Sequence, residues 1–189
     1  MKTRIFTAVL ALIVTGAFAT TNPIKKEVKV KEATITWTGK KVTGSHTGSI
    51  NLKEGTLIME GNTLVGGSFT IDMTSIQVTD LEAGKGKEKL EGHLKTDQFF
   101  GVDNFPSATF TITKSVKSGN GYSVVGDMTI KGVTQNMKIH MDMNGNTAST
   151  TLSVDRTKYG IKYGSSSFFD NLKDKAISDN FDLAVSLKF

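Results

Sequence analysis

The chain has 189 residues, a formal net charge of +5, 38% hydrophobic residues and no cysteine. That length suits one domain with a real core, and without cysteine neither a disulfide nor a lipid-anchored N-terminal cysteine can hold it. So modest a charge, with no clustered Lys/Arg face, argues against a nucleic-acid partner.

In chain order, the first element is a secretory signal. Lys2 and Arg4 give a positive start, Ile5 to Val14 form an apolar run broken only by Thr7, and Ala17-Phe18-Ala19 supplies the small-x-small pattern. Cleavage is expected after Ala19, which leaves residues 20–189 as one domain. Loss of Lys2 and Arg4 lowers the formal charge from +5 to +3. The apolar run is shorter than the roughly 20 residues a bilayer span needs, and none of that length follows. The mature chain is therefore expected to be soluble, in the periplasm or outside the cell, with no transmembrane segment.

After a short linker at Asn22-Pro23 the dominant period is two, the signature of strands. Ala33, Ile35 and Trp37 alternate with threonines, and Val42, Gly44, His46, Gly48 and Ile50 share the next parity. Val65, Gly67, Phe69, Ile71 and Met73 follow. A charged, glycine-containing stretch at 80–104 ends in Asp97-Gln98-Phe99-Phe100, with Thr96 or Asp97 as the expected N-cap of a short turn. Pro106 then precedes a strand carrying Ala108, Phe110 and Ile112. Tyr122, Val124, Gly126, Met128 and Ile130 come next, then Met137, Ile139, Met141 and Met143, then Leu152 and Val154. A second long stretch, 156–180, holds Tyr159, Tyr163, Phe168 and Phe169. The chain ends on Phe181, Leu183, Val185, Leu187 and Phe189.

Glu60-Gly61-Asn62, Ser118-Gly119-Asn120-Gly121 and Asn144-Gly145-Asn146 are hairpin-type connections, and Lys131-Gly132-Val133-Thr134 reads as another. Short turns make consecutive strands antiparallel neighbours. About eight strands with one apolar face each close into an all-β, antiparallel up-and-down barrel, with short helices in the two long loops. Aromatic residues in those loops predict that they fold back onto the barrel, and the sequence leaves open whether the second, 156–180, forms a lid or merely packs.

A barrel of eight strands is either filled by side chains or holds one small ligand. Gly44, Gly48, Gly67, Gly126 and Ala148 share the inward parity and leave space, unless they mark bends. Met73, Met128, Met137, Met141 and Met143 share it too, and their flexible side chains suit an adaptable wall. Burying a methylene contributes about 0.8 kcal/mol, against roughly 4–15 kcal/mol lost on association. A chain of about 16 carbons clears that cost comfortably, and one of about six does not.

The motifs resemble those of the YceI-like family of bacterial periplasmic, polyisoprenoid-binding proteins. The resemblance rests on Leu90-Glu91-Gly92-His93-Leu94-Lys95-Thr96-Asp97-Gln98-Phe99-Phe100 with Phe105-Pro106-Ser107-Ala108-Thr109-Phe110. It rests also on Gly126-Asp127-Met128-Thr129-Ile130-Lys131-Gly132-Val133-Thr134 and on Asp72 to Ile76. Gln98 stands where that family more often carries Asp. The resemblance implies a lipocalin-like barrel with an apolar pore and a long lipid inside it: a polyisoprenoid, an isoprenoid quinone or a fatty-acid derivative. That lipid is a ligand, and no cofactor is expected.

The residues assigned to the ligand are Trp37, His46, Phe69, Ile71, Met73, Phe99, Phe100, Phe110, Ile112, Met128, Met137, Ile139, Met141, Leu152, Phe168 and Phe169. His46 is the candidate head-group contact, His93 is expected to bond nearby backbone, and His140 to be solvated. Asp127 is expected to order the adjacent turn. The three histidines lack ligand spacing, so no metal site is expected. With no Gly-x-Ser-x-Gly elbow, His pair or paired carboxylates, an enzyme is not expected. A ligand-free structural or stress-response barrel, or less readily a lipid-modifying enzyme, are the alternatives, and a homodimer is left open.

Overall fold

The computed structural model describes residues 24–189. The signal-peptide expectation lies outside them. The strands are β1 (Lys25–Lys29), β2 (Glu32–Lys41), β3 (Gly44–Glu60), β4 (Thr63–Val78), β5 (Ser107–Ser118), β6 (Gly121–Ile130), β7 (Val133–Asn144), β8 (Thr147–Asp155) and β9 (Ile177–Lys188). One helix, α1 (Lys87–Lys95), lies in the first long loop, and 3-10 turns at Arg156–Tyr159 and Lys173–Lys175 lie in the second.

Every pairing is antiparallel, and the circuit closes: β2 pairs with β9 as well as β3, and β3 with β4. Eight strands thus form the barrel. The ninth, β1, continues the line of β2 along the far half of β3, with Val28 opposite Leu57. Its lysines face solvent, which suits the charged edge of a sheet.

The barrel has two unlike ends. Three tight turns, at Gly61-Asn62, Gly119-Asn120 and Gly145-Asn146, close one of them. Both long loops and α1 cover the other, the lid end. Two apolar clusters follow the same division. Leu57, Leu64, Ile112, Tyr122 and Val124 pack toward the turn end. Met73, Ile76, Phe99, Val102, Tyr159 and Ile161 pack toward the lid end.

Several local expectations are corrected. Gly44 and Val42 lie exposed at the β2–β3 turn instead of facing inward. Gly48 and Gly126 are buried, yet they do not leave room. Trp37 lies opposite Gly48 in register, and a Cβ on Gly48 would stand 2.3 Å from its ring. A Cβ on Gly126 would stand 2.5 Å from the ring of Phe110. Each glycine is the seat of an aromatic ring. Thr96 does not cap a turn ahead of it. Its hydroxyl donates back to the His93 carbonyl at 2.7 Å and so closes α1.

Candidate functional site

The alternation of each strand turns one row of side chains toward the axis. β2 contributes Ile35 and Trp37, β3 Ile50 and Leu52, and β4 Phe69, Ile71, Met73 and Ile76. β5 contributes Ala108 and Phe110, β6 Met128 and Ile130, β7 Ile139 and Met141, and β8 Ala148 and Leu152. β9 adds Phe181, Leu183, Val185 and Leu187. These rows do not meet across the axis. They surround a cavity of about 200 Å³ open to the centres of water-sized molecules. By that measure one water needs roughly 10–15 Å³, so the barrel is hollow, not packed solid.

The floor is the turn-end cluster. Leu57 and Leu64 are fully buried there, and the Tyr122 hydroxyl donates to the Asn62 carbonyl at 3.1 Å. The roof comes from both long loops. Leu94, Phe99 and Phe100 reach the cavity from the first. The ring of Tyr163 crosses from the second loop to stand 4.7 Å from His93 and 5.6 Å from Phe99. Phe100 meets Phe181 edge to face at 6.1 Å. Glu91 accepts from the backbone N–H of Val78 at 2.8 Å and fastens α1 to the end of β4.

One buried charge enters this apolar chamber. Arg156, 3% exposed, follows β8 at the lid end and lines the cavity. Its guanidinium donates to the carbonyls of Ser178 at 2.9 Å, Ile161 at 2.8 Å and Ile177 at 3.1 Å. It lies 5.8 Å from the centre of the Phe99 ring and 3.8 Å from the Asp179 carboxylate. Burial pushes the guanidinium below its ordinary value, against the pull of Asp179 and Asp155. Asp179 is itself held below the ordinary carboxylate range. Burial opposes this, but the hydroxyls of Ser165 and Ser167 and the Arg156 charge outweigh it. Burial raises the Tyr159 hydroxyl, with Asp155 adding to the shift. Lys40, Ser178 and Asn180 also reach the cavity from strand ends at the lid.

Of the residues assigned from sequence, Trp37, Phe69, Ile71, Met73, Phe99, Phe100, Phe110, Met128, Ile139, Met141 and Leu152 come together on the cavity wall. Five do not. Ile112 is buried in the turn-end cluster, beneath the floor, and Met137 packs half-buried between the two clusters. His46 sits at the rim, where Nδ1 meets the Asp80 carboxylate at 2.9 Å. That bond helps lower the Asp80 carboxyl against the cost of its burial. Phe168 and Phe169 are outside the cavity and exposed.

The remaining histidines and Asp127 also find their places. His93 packs edge-on against Phe99 and Tyr163, in place of the expected backbone bond. His140 is exposed and near Asp142 at 3.2 Å. Asp127 accepts from Asn136 at 2.8 Å, a cross-strand tie just below the β6–β7 turn. No sequence pattern marks Arg156 as a wall residue. The β9 row Phe181, Leu183, Val185 and Leu187 was readable as an inward stripe, and its parity alone would have placed it on the wall.

Residues 26–189 match the YceI-like domain. The chain belongs to the YceI-like family. A UPF0312 protein of Yersinia enterocolitica is 31% identical over 86 residues, which cover 42% of this chain and 45% of that one. A UPF0312 protein of Staphylococcus aureus is 37% identical over 87 residues, 40% of this chain and 48% of the relative. The matches span about half the length of these curated relatives. Among solved structures, BcnA of Burkholderia cenocepacia superposes with a TM-score of 0.61 at 18% identity, over 82% of this chain and 94% of that one. A polyisoprenoid binding domain from Saccharophagus degradans gives 0.56 at 12% identity, over 85% and 95%. At such identities these likenesses speak for the shared barrel.

Proposed function

We propose that this YceI-like protein holds one long-chain amphiphilic lipid inside its barrel and carries or sequesters it outside the cytoplasm. The observation that supports this reading most is a closed barrel that is hollow, walled by apolar side chains and supplied at the lid end with the one buried cation among the described residues. An apolar tube gives no orientation to a pure hydrocarbon. Arg156 does, because a head group with acceptor oxygens gains most beside a desolvated guanidinium. The tail then runs from Phe99 and Phe181 down to Phe69, Phe110 and Met141. Each buried methylene contributes about 0.8 kcal/mol, so a long isoprenoid, an isoprenoid quinone or a fatty-acid derivative offsets the association cost. The solved neighbour described as a polyisoprenoid binding domain supports that ligand class. The expected export rests on Lys2 to Ala19. The role is binding without chemical change to the lipid.

The test is native mass spectrometry and organic extraction of protein purified from cells or incubated with prenols, quinones and fatty acids. One lipid per barrel is expected. Ala148, buried on the wall, offers the control: in Ala148→Phe the added ring occupies the chamber, and retention should fall at least tenfold with the fold intact. A wild-type protein that stays empty with every lipid class would sink the reading, as would full retention in a variant whose cavity has been filled.

A further inference from the structure

The lid end is not polar on the outside. Six large hydrophobic residues are exposed among the described residues, and four of them belong to segments at that end: Val42, Tyr163, Phe168 and Phe169, at 67%, 44%, 47% and 51%. A monomeric exterior scatters such residues singly. Here two phenylalanines are adjacent on a loop that packs over the cavity.

The loop that carries them is built, not frayed. The N–H groups of Phe168 and Phe169 both donate to the Ser165 carbonyl, at 3.2 and 3.0 Å, and Ser165 is fully buried. The Ser167 hydroxyl donates to Asp179, and the N–H of Ile177 to the Gly164 carbonyl at 2.8 Å. The Val42 N–H donates to the Ala176 carbonyl at 3.2 Å, so the β2–β3 turn is tied to the same loop. The tip therefore presents its two rings in a fixed place, at the cost of leaving them wet.

The charge around the tip names the surface that would cover it. Lys162 Nζ lies 4.4 Å from the centre of the Phe168 ring. Lys41, Lys162, Lys173 and Lys175 are exposed and form no ion pair among the described residues. Asp170 and Asp174 offset them only in part. Aromatic rings flanked by lysines fit the interface of a bilayer, with rings at the acyl boundary and ammonium groups among anionic head groups.

We propose that the Phe168-Phe169 tip, with its surrounding lysines, docks the lid end on the surface of an anionic phospholipid bilayer. Docking there sets the mouth of the apolar chamber against the lipid phase. This surface is independent of what the cavity holds, and its test does not depend on loading.

The experiment is co-sedimentation of the purified protein with vesicles of phosphatidylethanolamine and phosphatidylglycerol, beside vesicles of phosphatidylcholine alone. Wild-type protein is expected on the anionic vesicles, with binding weakened by high salt. Phe168→Ser/Phe169→Ser is expected to partition at least tenfold less, with an unchanged circular dichroism spectrum and melting temperature. A second variant reports the contact directly. Trp37 is the only tryptophan, so Trp37→Phe/Phe168→Trp carries a single indole at the tip, and its emission should shift to the blue on anionic vesicles. The docking proposal is overturned by wild-type protein that ignores vesicles, by a double-serine variant that binds like wild type, or by an indole that does not shift. Concentration-dependent self-association through the same pair, without vesicle affinity, also overturns it. Loading from detergent, followed by mass spectrometry, keeps the cavity reading separate: the double-serine variant should still take up its lipid.

Discussion

Arg156 shows how one residue can serve the fold and the chamber together. Its three carbonyl partners come from two segments, Ile161 in the lid loop and Ile177 and Ser178 at the start of β9. The guanidinium fork ties the second long loop at both of its ends. Lysine would bring a charge but no planar fork, and would leave at least one buried carbonyl without a donor. Arg156→Lys should therefore cost on the order of 2 kcal/mol in urea unfolding, read as a lower midpoint at unchanged slope. An unchanged midpoint would mean that the three bonds contribute nothing net. Ala148 and Ala108 carry the opposite lesson. Both are small residues on the wall, and both keep the chamber open by what they lack.

The elements differ in how firmly they are joined. β6 pairs with β7 along its full length, from Gly121 opposite Asp142 to Ile130 opposite Val133. β7 pairs with β8 only at Asp142–Ser149, Met143–Ala148 and Asn144–Thr147. Beyond these, the Thr150 hydroxyl bonds the His140 carbonyl at 2.6 Å and the Gln135 amide bonds the Lys158 carbonyl at 3.2 Å. Side chains and the Arg156–Tyr159 turn bridge a seam where a backbone ladder stops. Successive amides in β7 point alternately to β6 and to β8. Those facing β8 between Val133 and Ile139 should exchange with deuterium at least tenfold faster than amides within the β5–β6 pair. Uniform protection along β7 would show that the seam is closed in solution. The sequence could not reveal this seam, because period two reports which side of a strand is buried and not how many rungs join it to its neighbour. It did reveal β4 to β9, whose alternation is long and bounded by Gly-Asn turns. The far half of β3 escaped for a definite reason. Ile50 and Leu52 face the cavity, register shifts follow between Leu52 and Glu54, and Leu57 is then fully buried on the other parity. A bulge breaks the signal that identifies a strand. Arg156 escaped because its partners are distant in sequence, and His46 misled because parity says nothing of Asp80 beside it.

Across the barrel the aspartates whose carboxyls shift on folding share one direction. Asp72, Asp80, Asp179 and Asp182 all sit below the ordinary carboxylate value. For Asp72 the main cause is the hydroxyl of Thr74, and for Asp182 the bond from Lys40. For Asp80 and Asp179 burial works the other way, and hydrogen bonds with a facing cation overcome it. A carboxyl depressed in the folded state binds a proton more weakly there than in the unfolded chain, whose value is about 3.9. Its contribution is complete above that value and is lost as pH falls through the lower folded value. Stability carried by these four groups is therefore flat from neutrality to about pH 5 and declines below about pH 4. The decline has a structural focus at the lid end, where protonation of Asp179 leaves the buried Arg156 charge without its balancing carboxylate. Melting temperatures measured from pH 7 to pH 2 should show this plateau and fall. Asp179→Asn should lower the plateau and flatten the acid limb, since the group that titrates there is gone. A melting temperature that rises as pH drops below 4, or an acid limb unchanged in Asp179→Asn, would place the acid sensitivity of the barrel in other groups.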